Sequence, residues 1–214
     1  MEAWSNQLFL TINASASPSP VTVIFAKIAA EGFVYLACLV AASLWVWGPP
    51  GKRGALLSTG LGLLASFAIS WVIGLLWYHP RPFMIGLGHT LIVHAPDSSF
   101  PSEHTTFLWT LGLGLVLTQA SRSWGAVLVV SGFVTAWARI YVGIHFPLDM
   151  AGSLSVAALS AGVAWAARPF IGRTALPTLD RCYETVLSVS RVPPRIFPRQ
   201  SSERPIPGKE LAPR

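Results

Sequence analysis

The sequence predicts an all-α integral membrane protein, a bundle of about five transmembrane helices with a short interfacial helix at the N-terminus. Three observations carry that expectation. Of 214 residues, 52% are hydrophobic and 11% charged, whereas a water-facing globule needs roughly a quarter charged. Five apolar stretches approach the roughly 20 residues that cross a bilayer, and mean hydropathy is +0.55. The formal charge of +6 is unevenly placed, because nine of the 15 Lys and Arg residues lie from Arg168 onward. A basic tail on an apolar body is not a basic groove, so the expected partners are membrane lipids and no nucleic acid.

In chain order, residues 1–20 come first. Trp4, Leu8, Phe9 and Ile12 recur at helical spacing. The segment is too short to span, so it either lies along the interface or ends as a frayed, partly buried terminus. Met1 to Leu10 carries Glu2 but no Lys or Arg, unlike the positive start of a cleaved signal peptide, which leaves targeting to the first span. The membrane domain, 21–167, reads as spans over Val21–Trp47, Ala55–Tyr78, His104–Gln119, Trp124–Tyr141 and Pro147–Ala167. The third is short, and the fourth carries Arg139 near its end. Residues 168–214 form a basic tail, rich in Pro, Arg and Ser from Arg191, that reads as disordered and drawn to anionic headgroups. Cys38 and Cys182 fall in a span and in the tail, so no disulfide is expected. No internal repeat is visible.

Orientation follows from the loops. Lys52 and Arg53, Arg122, and the nine cations of the tail fall on one side when five helices are threaded in order. The N-terminus, the loop from His79 to Pro101 and the turn around His145 fall on the other. The positive-inside rule then puts the tail in the cytoplasm and the N-terminus outside.

Polar residues on the outer side gather in three places: His79-Pro80-Arg81-Pro82-Phe83, Phe100-Pro101-Ser102-Glu103-His104, and the stretch from Arg139 to Asp149. Ionisable residues at membrane depth are costly and are functional candidates by default. Arg81 and Arg139 offer planar forks that match phosphate oxygens. Ser102 suits a helix N-cap, which would aim the backbone N–H groups of Glu103 and His104 at an anion. Pro147 suits a first helical turn, leaving His145 just ahead of it and Asp149 within it. An Asp there can take a hydrogen bond from one ring nitrogen and leave the other as a nucleophile. Blander readings stay open: a helix-start pair or a metal site for His145 and Asp149, a polar cap for His104, snorkelling anchors for the arginines. His79, His89, His94 and Asp97 read as loop residues within reach of a headgroup or diphosphate. Trp45, Trp47, Trp71 and Trp77 read as an interfacial belt.

The fragments R-P, P-S-x-H and R-x5-H-x3-D, in this order on alternating loops, resemble the type-2 phosphatidic acid phosphatase superfamily. The stretches YHPRPFMIGLGHTLIVHAPDSSFPSEH and ARIYVGIHFPLDMAG look like its bacterial undecaprenyl-diphosphatase branch. The likeness runs from about Phe25 to Ala167. It implies hydrolysis of undecaprenyl diphosphate to the monophosphate, recycling a carrier lipid for cell-envelope synthesis, with a polyprenyl diphosphate lipid as substrate and no cofactor or metal. It implies that His145 is the nucleophile and forms a phosphohistidine, that Asp149 supports it, and that His104 is the acid–base group. Arg81, Arg139, Ser102 and the backbone N–H of Glu103 would hold the equatorial phosphate oxygens. The site would face the periplasm or exterior from a bacterial inner membrane.

Two positions depart from the superfamily pattern. Gly74 stands where a Lys precedes the first Arg by seven residues. Lys27 is expected to supply that cation from another helix, or else to pair with Glu31 one turn on for structure alone. Glu103 stands where the superfamily has Gly and this branch often Asp. Its carboxylate must point away or pair with a cation, or it acts on His104 and keeps that ring a competent acid. Alternatives at this stage are a phosphatase of phosphatidylglycerophosphate or phosphatidate, a lipid phosphotransferase, and a small anion-binding membrane transporter. Oligomeric state is left open.

Overall fold

The computed structural model describes residues 3–189, and every regular element among them is helical. Their order is α1 (Ala3–Ile12), α2 (Pro20–Trp47), α3 (Arg53–Leu76), α4 (Glu103–Leu117), α5 (Arg122–Tyr141), α6 (Pro147–Thr174) and α7 (Leu176–Val189), with 3-10 turns at Pro50–Lys52 and Pro82–Ile85.

Four helices, α2, α3, α5 and α6, are long and apolar enough to cross a membrane. The expected third span is α4, which has only 15 residues, short of a bilayer's thickness. It packs against α3, α5 and α6 and buries nine residues, Trp109 and Leu115 among them. A helix enclosed by its neighbours need not match the lipid thickness, so α4 runs from the 77–102 loop to the Lys52 end as a short central helix among four longer ones.

Lipid tails are as apolar as Leu, so helices in a membrane associate through close packing of small residues. A Cβ on Gly125 of α5 would lie 2.7 Å from the Gly112 carbonyl oxygen of α4, and one on Gly62 of α3 would lie 2.8 Å from the Ser160 carbonyl oxygen of α6. Ala26, Ala29 and Ala30 bring α2 onto Ala138, Val142 and Ile144. That last contact presses the α2 backbone against the end of α5, where Arg139 lies.

The N-terminal segment is a docked helix, neither frayed nor wholly interfacial. Phe9 is fully buried against Phe146, with ring centroids 5.4 Å apart, and Ser5 Oγ accepts the Leu148 N–H at 3.3 Å. Trp4, Leu8 and Leu10 remain exposed on its other face.

The boundary drawn at residue 168 falls inside a helix. α6 continues through Pro169 to Thr174, and α7 follows after one residue. Here α7 lays Tyr183 over the buried Arg53 guanidinium, 4.3 Å from the ring centroid, with Trp45 at 5.6 Å on the same cation. A cation stacked on two aromatic faces ties α7 to the bundle, which explains order where composition suggested none. The Pro- and Arg-rich end from Arg191 lies outside the described residues. At this same end Lys52 Nζ donates to the Gln119 carbonyl at 2.7 Å, far along the helices from α1, the 77–102 loop and the turn at 142–146.

Close helix contacts predict a contrast between two glycines of α3. Gly62→Ala should lower the melting temperature in detergent, since overpacking costs about 1–3 kcal/mol. Gly60→Ala, whose Cβ would meet nothing within 4 Å, should leave it unchanged or raise it, because Ala is the better helix former.

Candidate active site

Three chain segments converge at the α1 end of the bundle. Pro82 confines Arg81 to extended backbone, φ −72° and ψ 158°, as a residue before proline prefers. From there the guanidinium, 5% exposed, uses every nitrogen. Its Nε donates to Asp97 Oδ1 at 2.7 Å and its Nη2 to the Ser98 carbonyl at 3.3 Å. Its Nη1 donates to the Ile144 carbonyl at 3.0 Å and points at His145 Nε2, also at 3.0 Å.

That last contact settles the state of His145. An Arg can only donate, so Nε2 must accept, and the ring proton sits on Nδ1. Nδ1 in turn lies 3.0 Å from Asp149 Oδ2, to which it donates. The spacing is local: Asp149 stands in the first turn of α6, and the same Oδ2 accepts the Phe146 N–H at 2.8 Å, the N3-to-N-cap half of a capping box. Burial, then the positive charges of Arg139 and Arg81, hold the His145 pKa well below its ordinary range. The ring is therefore neutral, with its Nε2 lone pair aimed into the cationic cluster. His94 and His104 also bear electrostatically on it.

Arg139, in the last turn of α5 and 2% exposed, donates through Nη1 to the Ala30 carbonyl at 3.0 Å. Its Nη2 reaches His94 Nε2 at 3.4 Å, so His94 accepts there and turns Nδ1 to the Ala95 carbonyl at 3.1 Å. Burial lowers the His94 pKa, and the charges of Arg81 and Arg139 add to that. Its ring centroid is 6.4 Å from that of His145. His94 and Asp97 are thus parts of the cluster, wired to Arg139 and Arg81, rather than bystanders in a loop. The signal for them was present only as polarity in HAPDSS, without periodicity to say where it points.

The start of α4 supplies the third segment. Ser102 occupies the N-cap position in extended backbone and is fully buried, but its side chain makes no capping hydrogen bond. Its carbonyl is held by Thr106 N–H at 2.9 Å and Ser153 Oγ at 3.1 Å. Ser102 Oγ makes no hydrogen bond among the described residues, so this hydroxyl is free to serve a ligand. Glu103 is exposed and forms no ion pair among the described residues. Half-buried His104 opens on a cavity of about 230 Å³ walled by Val34, Cys38, Phe67 and Phe107.

Loop-to-loop contacts hold these segments in register. The Asn13 side chain takes both backbone groups of His89, donating at 2.9 Å and accepting at 2.7 Å, and donates to the Tyr141 carbonyl at 3.0 Å. Gly143 has φ +86°, and a Cβ there would collide with the His89 carbonyl. Only glycine allows that turn, and it delivers His145 to Arg81.

Lys27 does not join the cluster. It is exposed on α2 and makes no hydrogen bond or ion pair with a described residue, Glu31 included. Glu31 instead lies within electrostatic reach of Arg139. Gly74 lines a cleft of about 230 Å³ beside Arg81, and a Cβ there would meet nothing within 4 Å. No group of three or more His, Cys, Asp or Glu side chains among the described residues is placed to ligate a metal ion.

The pattern of the PAP2 superfamily matches residues 55–173. An Escherichia coli (strain K12) protein provisionally named undecaprenyl-diphosphatase YbjG is 36% identical over 171 residues, 78% of this chain and 85% of that one. Undecaprenyl-diphosphatase BcrC of Bacillus subtilis (strain 168) is 40% identical over 119 residues, 56% of this chain and 61% of that one. The crystal structure of Aquifex aeolicus LpxE covers 76% of this chain and 95% of that chain, with a TM-score of 0.63 and 22% identity; at that identity the likeness speaks for the fold alone.

The tautomer and the charge of His145 are open to direct measurement. In protein labelled with 15N-histidine, the His145 ring should stay neutral with its proton on Nδ1 as pH falls from 8 to 6, because its pKa is lowered. Removing one adjacent cation, as in Arg139→Gln, should move the titration upward. A ring that protonates near its ordinary pKa would contradict the geometry.

Proposed function

Because the chain belongs to the PAP2 superfamily, we propose that it is a membrane phosphatase that hydrolyses undecaprenyl diphosphate to undecaprenyl phosphate and inorganic phosphate. The observation that carries the reading is the neutral His145, with Nδ1 bonded to Asp149 and Nε2 facing Arg81. An imidazole in that state is a nucleophile within reach of whatever anion the arginines attract. The names of the two curated relatives supply the substrate class, and the apolar cavity at His104 suits a prenyl chain arriving from the lipid.

The reaction has two steps. His145 Nε2 attacks the terminal phosphorus as the bond to the bridging oxygen breaks, and His104, which takes up a proton as the diphosphate's negative charge enters the site, gives that proton to the oxygen. The transferred group passes through a transition state with charge on three equatorial oxygens, held by Arg81, Arg139, Ser102 Oγ and the backbone N–H of Glu103. Arg81 Nη1, which faces Nε2 in the structure, turns to those oxygens as phosphorus takes its place. The resulting phosphohistidine is then attacked by water, whose proton His104 takes, releasing phosphate and restoring neutral His145. Glu103 contributes its backbone N–H alone to the phosphate, and its exposed side chain lines the cleft beside Arg81. No step needs Lys27.

The site is proposed to face away from the cytoplasm, since Lys52, Arg53, Arg122 and Arg173 lie at the opposite end of the bundle. That end would be cytoplasmic in a bacterial inner membrane.

Two measurements test this. Purified protein should release phosphate from undecaprenyl diphosphate faster than from phosphatidate or phosphatidylglycerophosphate, and His145→Ala should lower kcat by roughly 10^4-fold. Preference for a monophosphate lipid would overturn the substrate, and unaltered turnover in His145→Ala the nucleophile. In spheroplasts, an impermeant maleimide should label a cysteine placed at the fully exposed Val93 in the site loop. It should reach Cys182, exposed on α7, only after permeabilisation; the reverse pattern would invert the orientation.

A further inference from the structure

Asp149 holds the key to His145, yet only one of its oxygens is accounted for by the residues already described. Oδ2 accepts both the His145 Nδ1–H and the Phe146 N–H. A carboxylate held at one oxygen can still turn about its own axis and lose the ring. On its other side lies His79, 2% exposed, whose Nδ1 is 3.6 Å from Asp149 Oδ1 and 2.8 Å from Ser99 Oγ. Ser99 is fully buried, and Asp149 Oδ1, a buried oxygen with no hydrogen-bond partner among the described residues, shares the neighbourhood of His79 Nδ1 with the Ser99 hydroxyl.

We propose that His79 and Ser99 form a second brace on Asp149, so that a relay His79–Ser99–Asp149 positions the imidazole of His145. The inference deepens the phosphatase reading above and rests on it. Direction in the relay follows from hydrogen-bond valence. Ser99 has one proton. With the His79 proton on Nδ1, that group donates to Ser99 Oγ, and the Ser99 hydroxyl is free to donate to Asp149 Oδ1. Both carboxylate oxygens are then engaged, and Oδ2 stays on His145 Nδ1. Supporting partners of this kind orient a reactive imidazole much as outer-shell partners orient metal-bound ones.

His79 is itself held rigidly. Its N–H donates to Ser98 Oγ at 3.2 Å, and its carbonyl accepts the Ser99 N–H at 2.7 Å. Its ring stands edge-on to Trp77 and Phe146, at centroid distances of 5.5 Å each. An aromatic box would accept a phenyl ring as readily as an imidazole. A polar ring at this place is explained by what its Nδ1 touches. His79 and Ser99 are positioning residues, because they act on the substrate only through Asp149 and His145.

The test uses the full chain in detergent with polyprenyl diphosphate. His79→Phe, which keeps the packing, and Ser99→Ala should each lower kcat about 10- to 100-fold with KM changed by less than about twofold. His79→Asn, whose amide nitrogen falls where Nδ1 stood, should retain most of the wild-type kcat. The His79→Phe/Ser99→Ala double variant should be no slower than either single one, as expected for two links of one relay. Wild-type kcat in Ser99→Ala, an effect confined to KM, or equal losses in His79→Asn and His79→Phe would each overturn the brace. If His79→Phe fails to fold, Ser99→Ala decides alone. The His145 Nδ1–H signal answers independently of turnover: it should shift in Ser99→Ala and stay in place in His79→Asn, and an unmoved signal in Ser99→Ala overturns the relay. A wild-type chain that releases no phosphate counts against the phosphatase reading, while that signal still reports on the brace.

Discussion

One buried imidazole, claimed at its two nitrogens from opposite sides, is the constraint from which the rest of the site follows. Arg81 can only donate and Asp149 accepts, so the ring between them is neutral and its proton is placed. A charge buried at membrane depth needs a partner, and each charge here finds one on a different segment. Arg81 takes Asp97 and two carbonyls from the outer loop and the 142–146 turn. Arg139 takes a carbonyl of α2 and a ring of the loop. The polar cluster therefore also ties together the chain segments that create it.

The helices make such a cluster affordable by leaving little room to move. Gly62 against Ser160 and Gly125 against Gly112 bring α3 onto α6 and α5 onto α4 at backbone distance. Small-residue contact is the main adhesive available between helices in lipid. The short α4 can then sit at the centre with Ser102 and His104 at its mouth. Helix α1 closes that end with Phe9 on Phe146 and Asn13 on the loop backbones. At the far end, Arg53 under Tyr183 and Trp45 extends helical order well into a region that composition alone assigned to a tail.

Residues whose function depends on near neighbours in the chain were readable beforehand. Arg81 is set by the proline after it, and Asp149 meets His145 because four residues across a helix start bring a side chain back over its predecessor. Loop residues were not readable in the same way. His94, Asp97, His79 and Ser99 have no period to betray a direction, and each acquires its role from a partner 16 to 70 positions away, Asp97 on Arg81, Ser99 on His79, His94 on Arg139, His79 on Asp149. Lys27 failed for the complementary reason. Its charge invited a role, but the face of α2 on which it stands is set by Ala26, Ala29 and Ala30 packing inward, and that turns Lys27 outward.

By itself, the sequence determined the helical membrane class, the uneven placement of charge along the bundle and the three polar fragments near one end. Hydropathy and spacing within a few residues are properties of the chain as written, and a helix converts them into geometry without outside help. Tertiary packing alone decided that the short α4 sits enclosed among the longer helices, that Ser102 keeps its hydroxyl for something other than its own helix, and that a loop histidine and serine stand behind Asp149. Those outcomes depend on distances between segments far apart in the chain, which are fixed only when the small faces of the helices close on one another.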